Sequence, residues 1–387
     1  MSNMLRFVAH CRDESVVGME VLNLHAPNTK VLLGKTPDEA RRLAPILFGF
    51  SGRTHEEAVT AACRAAQGLP APEGEAAVRV ERAVAAEMAQ GHLWRLLLDW
   101  PPLFGHAGPR HRFAQLHRRL ALLRSTPEAY LVGGELLDLV ANELLSGFFR
   151  AMREPSTLGE FVAMARRGGT IGMTLADVVE LGAFIPDVSI CAPLLPALSG
   201  AQWAEGLGGI PDVAFCAAPT WQGEACETGP LARHPASPLV GKVMAQGHRV
   251  AARLFARVVD LGDCASRLRH PLPLDLPPLV DAAPLGPQAG VARVAAANGV
   301  VLHAVRLEEG RIADYAVIRP AAWNYHPDGP FMREVIGRPA PDRAFTLLSL
   351  KALVLALDPA EAYEVEVRFA DRDEEHGETS PAGAGDA

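Results

Sequence analysis

Apolar residues recur at helical spacing through most of the first two thirds of the chain. Thr36-Pro37-Asp38-Glu39 opens the first clear helix: Thr36 can cap an open amide, Pro37 fits the first turn, and Glu39 occupies the reciprocal capping position. The pattern runs to about Phe48, where Gly49 and Gly52 interrupt it. Thr54 and Glu57 repeat the capping signal. The segment EEAVTAACRAAQG then places Ala58, Ala61, Ala62, Ala65 and Ala66 on related positions before Gly68, which predicts close helix packing. Residues 74–98 predict a longer helix with a modest break at Gly91, and further helices are predicted at 112–123, 131–154, 157–167, 174–183 and 238–259. Pro101, Pro102, Pro109, Pro127, Pro155 and Pro186 mark interruptions.

The remainder reads differently. Short strands fit the first thirty residues, and residues 184–234 are looser. The proline-rich LRHPLPLDLPPLVDAAPLGPQAG, residues 268–290, reads as an ordered packing segment because its leucines need burial to contribute stability. VARVAAANG and VVLHAVRLEEGRIADYAVIR carry extended apolar segments around Glu308-Glu309-Gly310, a strand-turn-strand signal, and a helix is predicted at 342–357. The expected fold class is α+β: a large, predominantly helical body with a strand-rich C-terminal portion. It forms one module over residues 1–372, with a strand-turn-helix portion at 290–360 and a flexible acidic, small-residue tail at 373–387.

Composition narrows the function classes modestly. A chain of 387 residues with 49% hydrophobic residues can bury a large core. The formal charge of -8 argues against nonspecific nucleic-acid binding, which needs a cationic surface. The first residues lack the apolar core of a signal peptide and no long uncharged run supports a spanning helix, so cytoplasmic residence is expected. Six cysteines are too sparse for a disulfide scaffold.

RIADYAVIRPAAWNYHPDGP, residues 311–330, resembles the region before the terminal metal-binding segment of nickel-iron hydrogenase large subunits. There a strand is followed by Thr-Trp-Asn and, after a helix, by Asp-Pro-Cys-x-x-Cys. Trp323-Asn324 and Asp358-Pro359 match in order, Gly299 through His303 resembles the preceding Gly-x-x-x-His, and CETGPLAR, residues 226–233, resembles a further segment. LFGFSGRTHEEAVTAACRAA resembles the N-terminal metal-ligand loop and its following helix.

The substitutions decide what the resemblance implies. The family's first ligand motif reads Cys-Gly-x-Cys, whereas this chain reads Phe48-Gly49-Phe50-Ser51, and Ala360 and Tyr363 replace the terminal cysteines. Asn298 stands where the family's Pro-Arg-Gly segment suggests arginine. A nickel-iron site needs soft thiolates, which a ring, a hydroxyl, a methyl group and a phenol do not supply.

This combination resembles the HupK/HoxV branch of hydrogenase maturation proteins. The resemblance implies a noncatalytic scaffold or chaperone that holds or transfers an iron-cyanide-carbonyl moiety to the apo large subunit, without a mature nickel-iron site or nickel-triggered tail cleavage. It also implies a small HypC/HybG-type or HoxL-type chaperone as partner. A maturation factor that binds partners without metal, and a repurposed enzyme, are the alternatives.

Among individual residues, Cys226 lies in a polar loop and is the first candidate iron contact, with packing as the plainer explanation. Cys63 faces either the cavity or the core of its helix. His55 and His303 stand at positions resembling family histidines and are tentative cofactor contacts. Gly299, Trp323, Asn324, Asp358 and Pro359 are expected to fix chain geometry.

Overall fold

The computed structural model describes residues 4–24, 28–49, 51–185, 191–272 and 276–370; the tail expected at 373–387 lies outside the described residues. Strands β1 (Leu5–Arg12) and β2 (Ser15–Leu22) form a hairpin whose turn residues Asp13 and Glu14 both hold positive φ. That backbone matches the twist of a two-residue hairpin turn. Strands β3 (Val280–Gly286), β4 (Ala289–Ala296), β5 (Gly299–Glu308) and β6 (Arg311–Ile318) form an antiparallel meander in chain order. The strand-turn-strand signal thus belongs to a four-stranded sheet, and β3 comes from the proline-rich segment. Pro284 is tolerated there because β3 is an edge strand. Strand β7 (Tyr363–Phe369) pairs parallel with β1, giving a separate sheet of order β2-β1-β7.

Helix α1 (Pro37–Phe48) starts with the expected reciprocal cap between Thr36 and Glu39. Helix α2 (Gly52–Ala66) begins two residues before the expected Thr54 cap. Glu87 from helix α3 (Gly74–Trp94) caps it instead, accepting hydrogen bonds from the Arg53 amide (2.9 Å), the Thr54 amide (2.7 Å) and the Thr54 hydroxyl (2.7 Å). A carboxylate at a helix N-terminus satisfies open amides and the local dipole together. Gly91 does not break α3: a Cβ there would stand 2.7 Å from the Ala297 Cβ, so the glycine serves close approach.

After α3 the backbone widens into a π-helical turn, Arg95–Asp99. The helix expected at 131–154 is instead Thr126–Asp138, a π-helical turn Leu139–Leu144 and the short Ser146–Phe149. The helix expected at 238–259 is split into Pro238–Ala245 and Arg249–Arg269, with Gly247 at positive φ between them. The C-terminal helix, Arg343–Leu357, is capped by the Asp342 side chain.

The small residues of α2 permit its approach to β4, where a Cβ on Gly290 would lie 2.3 Å from the Ala62 carbonyl oxygen. Strand β4 is buried along its whole length, and Trp203 and Trp323 lie in a hydrophobic cluster with its Val291. The helical body has its own core around Leu93, Leu96, Trp100, Leu254 and Phe255. Among the described residues, no helix is long and apolar enough to cross a membrane.

Candidate functional site

Five segments converge on a cavity of about 190 Å³, one of them the helix Arg110–Ala121, which contributes His117. Gly49, Ser51 and Thr54 come from the α1–α2 junction, and Glu87, Gly91, Trp94 and Arg95 from α3 and its π-helical extension. Ala297 and Asn298 form the β4–β5 turn, and Asp358 and Ala360 follow the C-terminal helix. Three motif-position substitutions, Ser51, Asn298 and Ala360, therefore share one space. Phe48 and Tyr363 are directed elsewhere: Phe48 stacks on His55 with centroids 4.1 Å apart, and Tyr363 meets Phe7 edge-on at 6.1 Å. Phe50 lies outside the described residues.

The C-terminal wall is ionic. Asp358 takes a left-handed conformation at the helix exit. Its Oδ1 accepts from Arg95 Nε at 2.9 Å and from the Ala360 amide at 3.1 Å, while Oδ2 lies 2.9 Å from Arg257 Nη1. Burial would raise this carboxyl's pKa, but Arg95 and Arg257 outweigh it and hold the group down at about 2. Asn324 ties the exit to the sheet. Its Nδ2 donates to the Leu357 carbonyl at 2.9 Å and its Oδ1 accepts from the Thr228 amide at 3.0 Å; Asn298 Nδ2 donates to the Asp358 carbonyl at 3.4 Å. Gly299 fits beside Thr228 at a positive φ of 148°, leaving no room for a Cβ.

Behind the N-terminal wall stands a neutral cluster of rings that does not itself line the cavity. His55 Nδ1 lies 2.7 Å from His303 Nε2, and His303 Nδ1 lies 2.5 Å from the Tyr315 hydroxyl. Two imidazoliums would set donor against donor at the first contact. Burial lowers both pKa values, that of His303 to about 3, and for His55 the neighbouring His303 and Arg319 lower it further.

The cysteine candidates lie apart from this cavity. Cys226 is buried among Trp203, Trp323 and Val291, its thiol pKa raised by burial, and lines a separate surface groove. Cys63 faces the core between α2 and the second sheet, where burial pushes its thiol up to about 12. Trp323 is fully buried, and Pro359 is buried beside Asp358.

Sequence reasoning missed Arg95, Arg257, Glu87 and Tyr315. A buried-face arginine carries no local mark of a carboxylate partner far along the chain. Glu87 did carry one signal, an acidic residue amid the apolar positions of a long helix.

The donor set decides what the cavity can hold. No cysteine lines it, Asp358 is committed to two arginines, and Glu87 is committed to the start of α2. Among the described residues there is no group of three metal-capable His, Cys, Asp or Glu side chains. These residues do not fit a thiolate-bridged nickel-iron centre.

No protein-family model matches the chain. The hydrogenase expression/formation protein HupK of Rhizobium leguminosarum bv. viciae is 27% identical, over 88% of this chain and 90% of its own length. HoxV, the hydrogenase expression/formation protein of Cupriavidus necator, is 29% identical over 87% of this chain and 89% of its length. Among solved structures, a Ni-Fe-Se hydrogenase chain from Desulfovibrio vulgaris Hildenborough superposes with a TM-score of 0.59 at 15% identity, covering 90% of this chain and 94% of that one. By homology over most of its length, the chain is a relative of the HupK and HoxV hydrogenase expression/formation proteins, and its fold is that of the hydrogenase large subunit.

Proposed function

We propose that the chain is a noncatalytic scaffold in nickel-iron hydrogenase maturation, one that docks a small HypC/HybG-type or HoxL-type chaperone and the apo large subunit. The observation that carries this reading is a cavity bordered by the family's motif segments, with Ser51 and Ala360 at two of its thiolate positions. In this reading the iron-cyanide-carbonyl moiety is cargo. Ser51, Asn298 and His117, all lining the cavity, offer hydrogen bonds to cyanide nitrogens, and a partner supplies the thiolates to iron. Cys226 and Cys63 then serve packing, while His55 and His303 brace the wall behind Phe48.

The lack of a thiol in the cavity also supports a second reading, a factor that binds chaperone and client without metal. Anaerobic purification from a hydrogenase-producing host, followed by infrared spectroscopy, separates the two. Cargo holding predicts cyanide and carbon monoxide bands that weaken in Ser51→Ala and Asn298→Ala chains of unchanged fold. Recovery of an intact chaperone complex without those bands would leave only the second reading, and failure to recover either partner by crosslinking would sink both.

A further inference from the structure

A second, smaller cavity of about 110 Å³ lies behind the β4–β5 turn and is lined by three arginines, Arg233, Arg267 and Arg293. The turn separates it from the first cavity: Ala297 and Asn298 face one side, Ala295 and Gly299 the other. Two of the arginines have carboxylate partners. Arg233 donates to Asp260 and Arg267 to Glu81. Arg293 has none among the described residues. Only its Nη2 is engaged, with the Pro278 carbonyl at 2.8 Å, and its buried Nε has no partner. Asp281 stands opposite on β3, but its oxygens accept from the Gly200 and Ala282 amides at 2.8 and 2.9 Å.

A guanidinium 91% buried with no direct ion pair, only the nearby charges of Asp281 and Glu81, is costly while its Nε stays unsatisfied, and an anion in the cavity would complete it. The space equals several water molecules. Its rim includes the exposed Pro196, Ala197, Pro277 and Pro278, so solutes have a way in. Thr228, whose hydroxyl oxygen accepts the Val300 amide, lines the wall and keeps a proton to donate.

We propose that this cavity binds a phosphate-class oxyanion, with Arg293 as its principal ligand and Arg233, Arg267 and Thr228 closing around it. Donors converging from separate elements suit a tetrahedral anion better than a planar carboxylate, which one guanidinium fork satisfies. The proposal does not depend on the function inferred above.

The test is calorimetric titration of the full chain with inorganic phosphate, and separately with acetate, at matched ionic strength. The expected result is saturable binding of one phosphate per chain, at least tenfold weaker binding of acetate, and roughly tenfold or greater loss of phosphate affinity in Arg293→Gln. No saturable phosphate binding, equal binding of acetate, or unchanged affinity in Arg293→Gln would overturn the proposal. Should Arg293→Gln not fold, the wild-type titrations together with Thr228→Val, expected to bind phosphate at least threefold more weakly, decide the question; unchanged affinity there counts against it.

Discussion

The two walls of the main cavity are arranged in mirrored ways. On the N-terminal wall Phe48 turns onto His55, while Ser51 borders the space. On the C-terminal wall the order is reversed, with Ala360 bordering the space and Tyr363 turned onto Phe7. Each wall keeps one small residue at the cavity and sends one aromatic ring into packing. What braces them differs. Neutral hydrogen bonds between rings hold the first, and a buried carboxylate between two guanidiniums holds the second. Two sides of one cavity can therefore be held in shape by unrelated forces.

That contrast predicts unequal responses to substitution. Asp358→Asn leaves Arg95 and Arg257 buried without their shared counter-charge and should cost about 3–5 kcal/mol in denaturant unfolding; a loss below about 1 kcal/mol would show that the ionic wall is not the stronger one. His303→Leu removes a neutral partner from both His55 and Tyr315 and should cost about 1–3 kcal/mol by the same measurement.

Acid should separate the walls as well. Both histidines have folded pKa values below the ordinary 6.5, so the unfolded chain binds more protons and stability falls as pH drops below about 6.5, for His303 down to about 3 and by up to about 1.4 kcal/mol per pH unit. Asp358 is depressed from 3.8 to about 2, so its contribution is complete above about pH 4 and is lost only as pH falls through 2. Unfolding measured from pH 7 to 4 should show a slope that shrinks in His303→Leu. The smallest effect concerns Ala360, which holds a φ of 65° that favours glycine. Ala360→Gly should raise stability by roughly 0.5 kcal/mol, the relief of left-handed strain less the entropy of glycine.

Local signals in the sequence located the elements that depend on neighbours a few residues away. The Thr36–Glu39 cap, the turn at Glu309-Gly310 and the helix ending at Leu357 all appear where expected. Of the motif positions singled out, Ser51, Asn298, Asp358 and Ala360 meet at the cavity, while Phe48, Tyr363, Cys226, Cys63, His55 and His303 do not line it. What the sequence did not reveal depends on distant partners. The Thr54 cap is displaced because Glu87 reaches the same amides from another helix. The proline-rich segment yields strand β3 because β4 offers it an edge, and the His55–His303 contact joins residues 248 apart. Cys226 read as accessible because its loop is polar, yet tryptophans from other segments cover it.

The parallel pairing of β1 with β7 has a consequence for the order of events during synthesis. Leu5 aligns with Tyr363, so the strand that leaves the C-terminal wall docks on one made long before it. Closing so long a loop is slow compared with forming local helices and hairpins. The first wall also closes over a long loop, but it needs the chain only as far as Tyr315, while the second is completed only after the strand from Tyr363 has been made, which leaves a nascent interval in which the pocket stands open on one side.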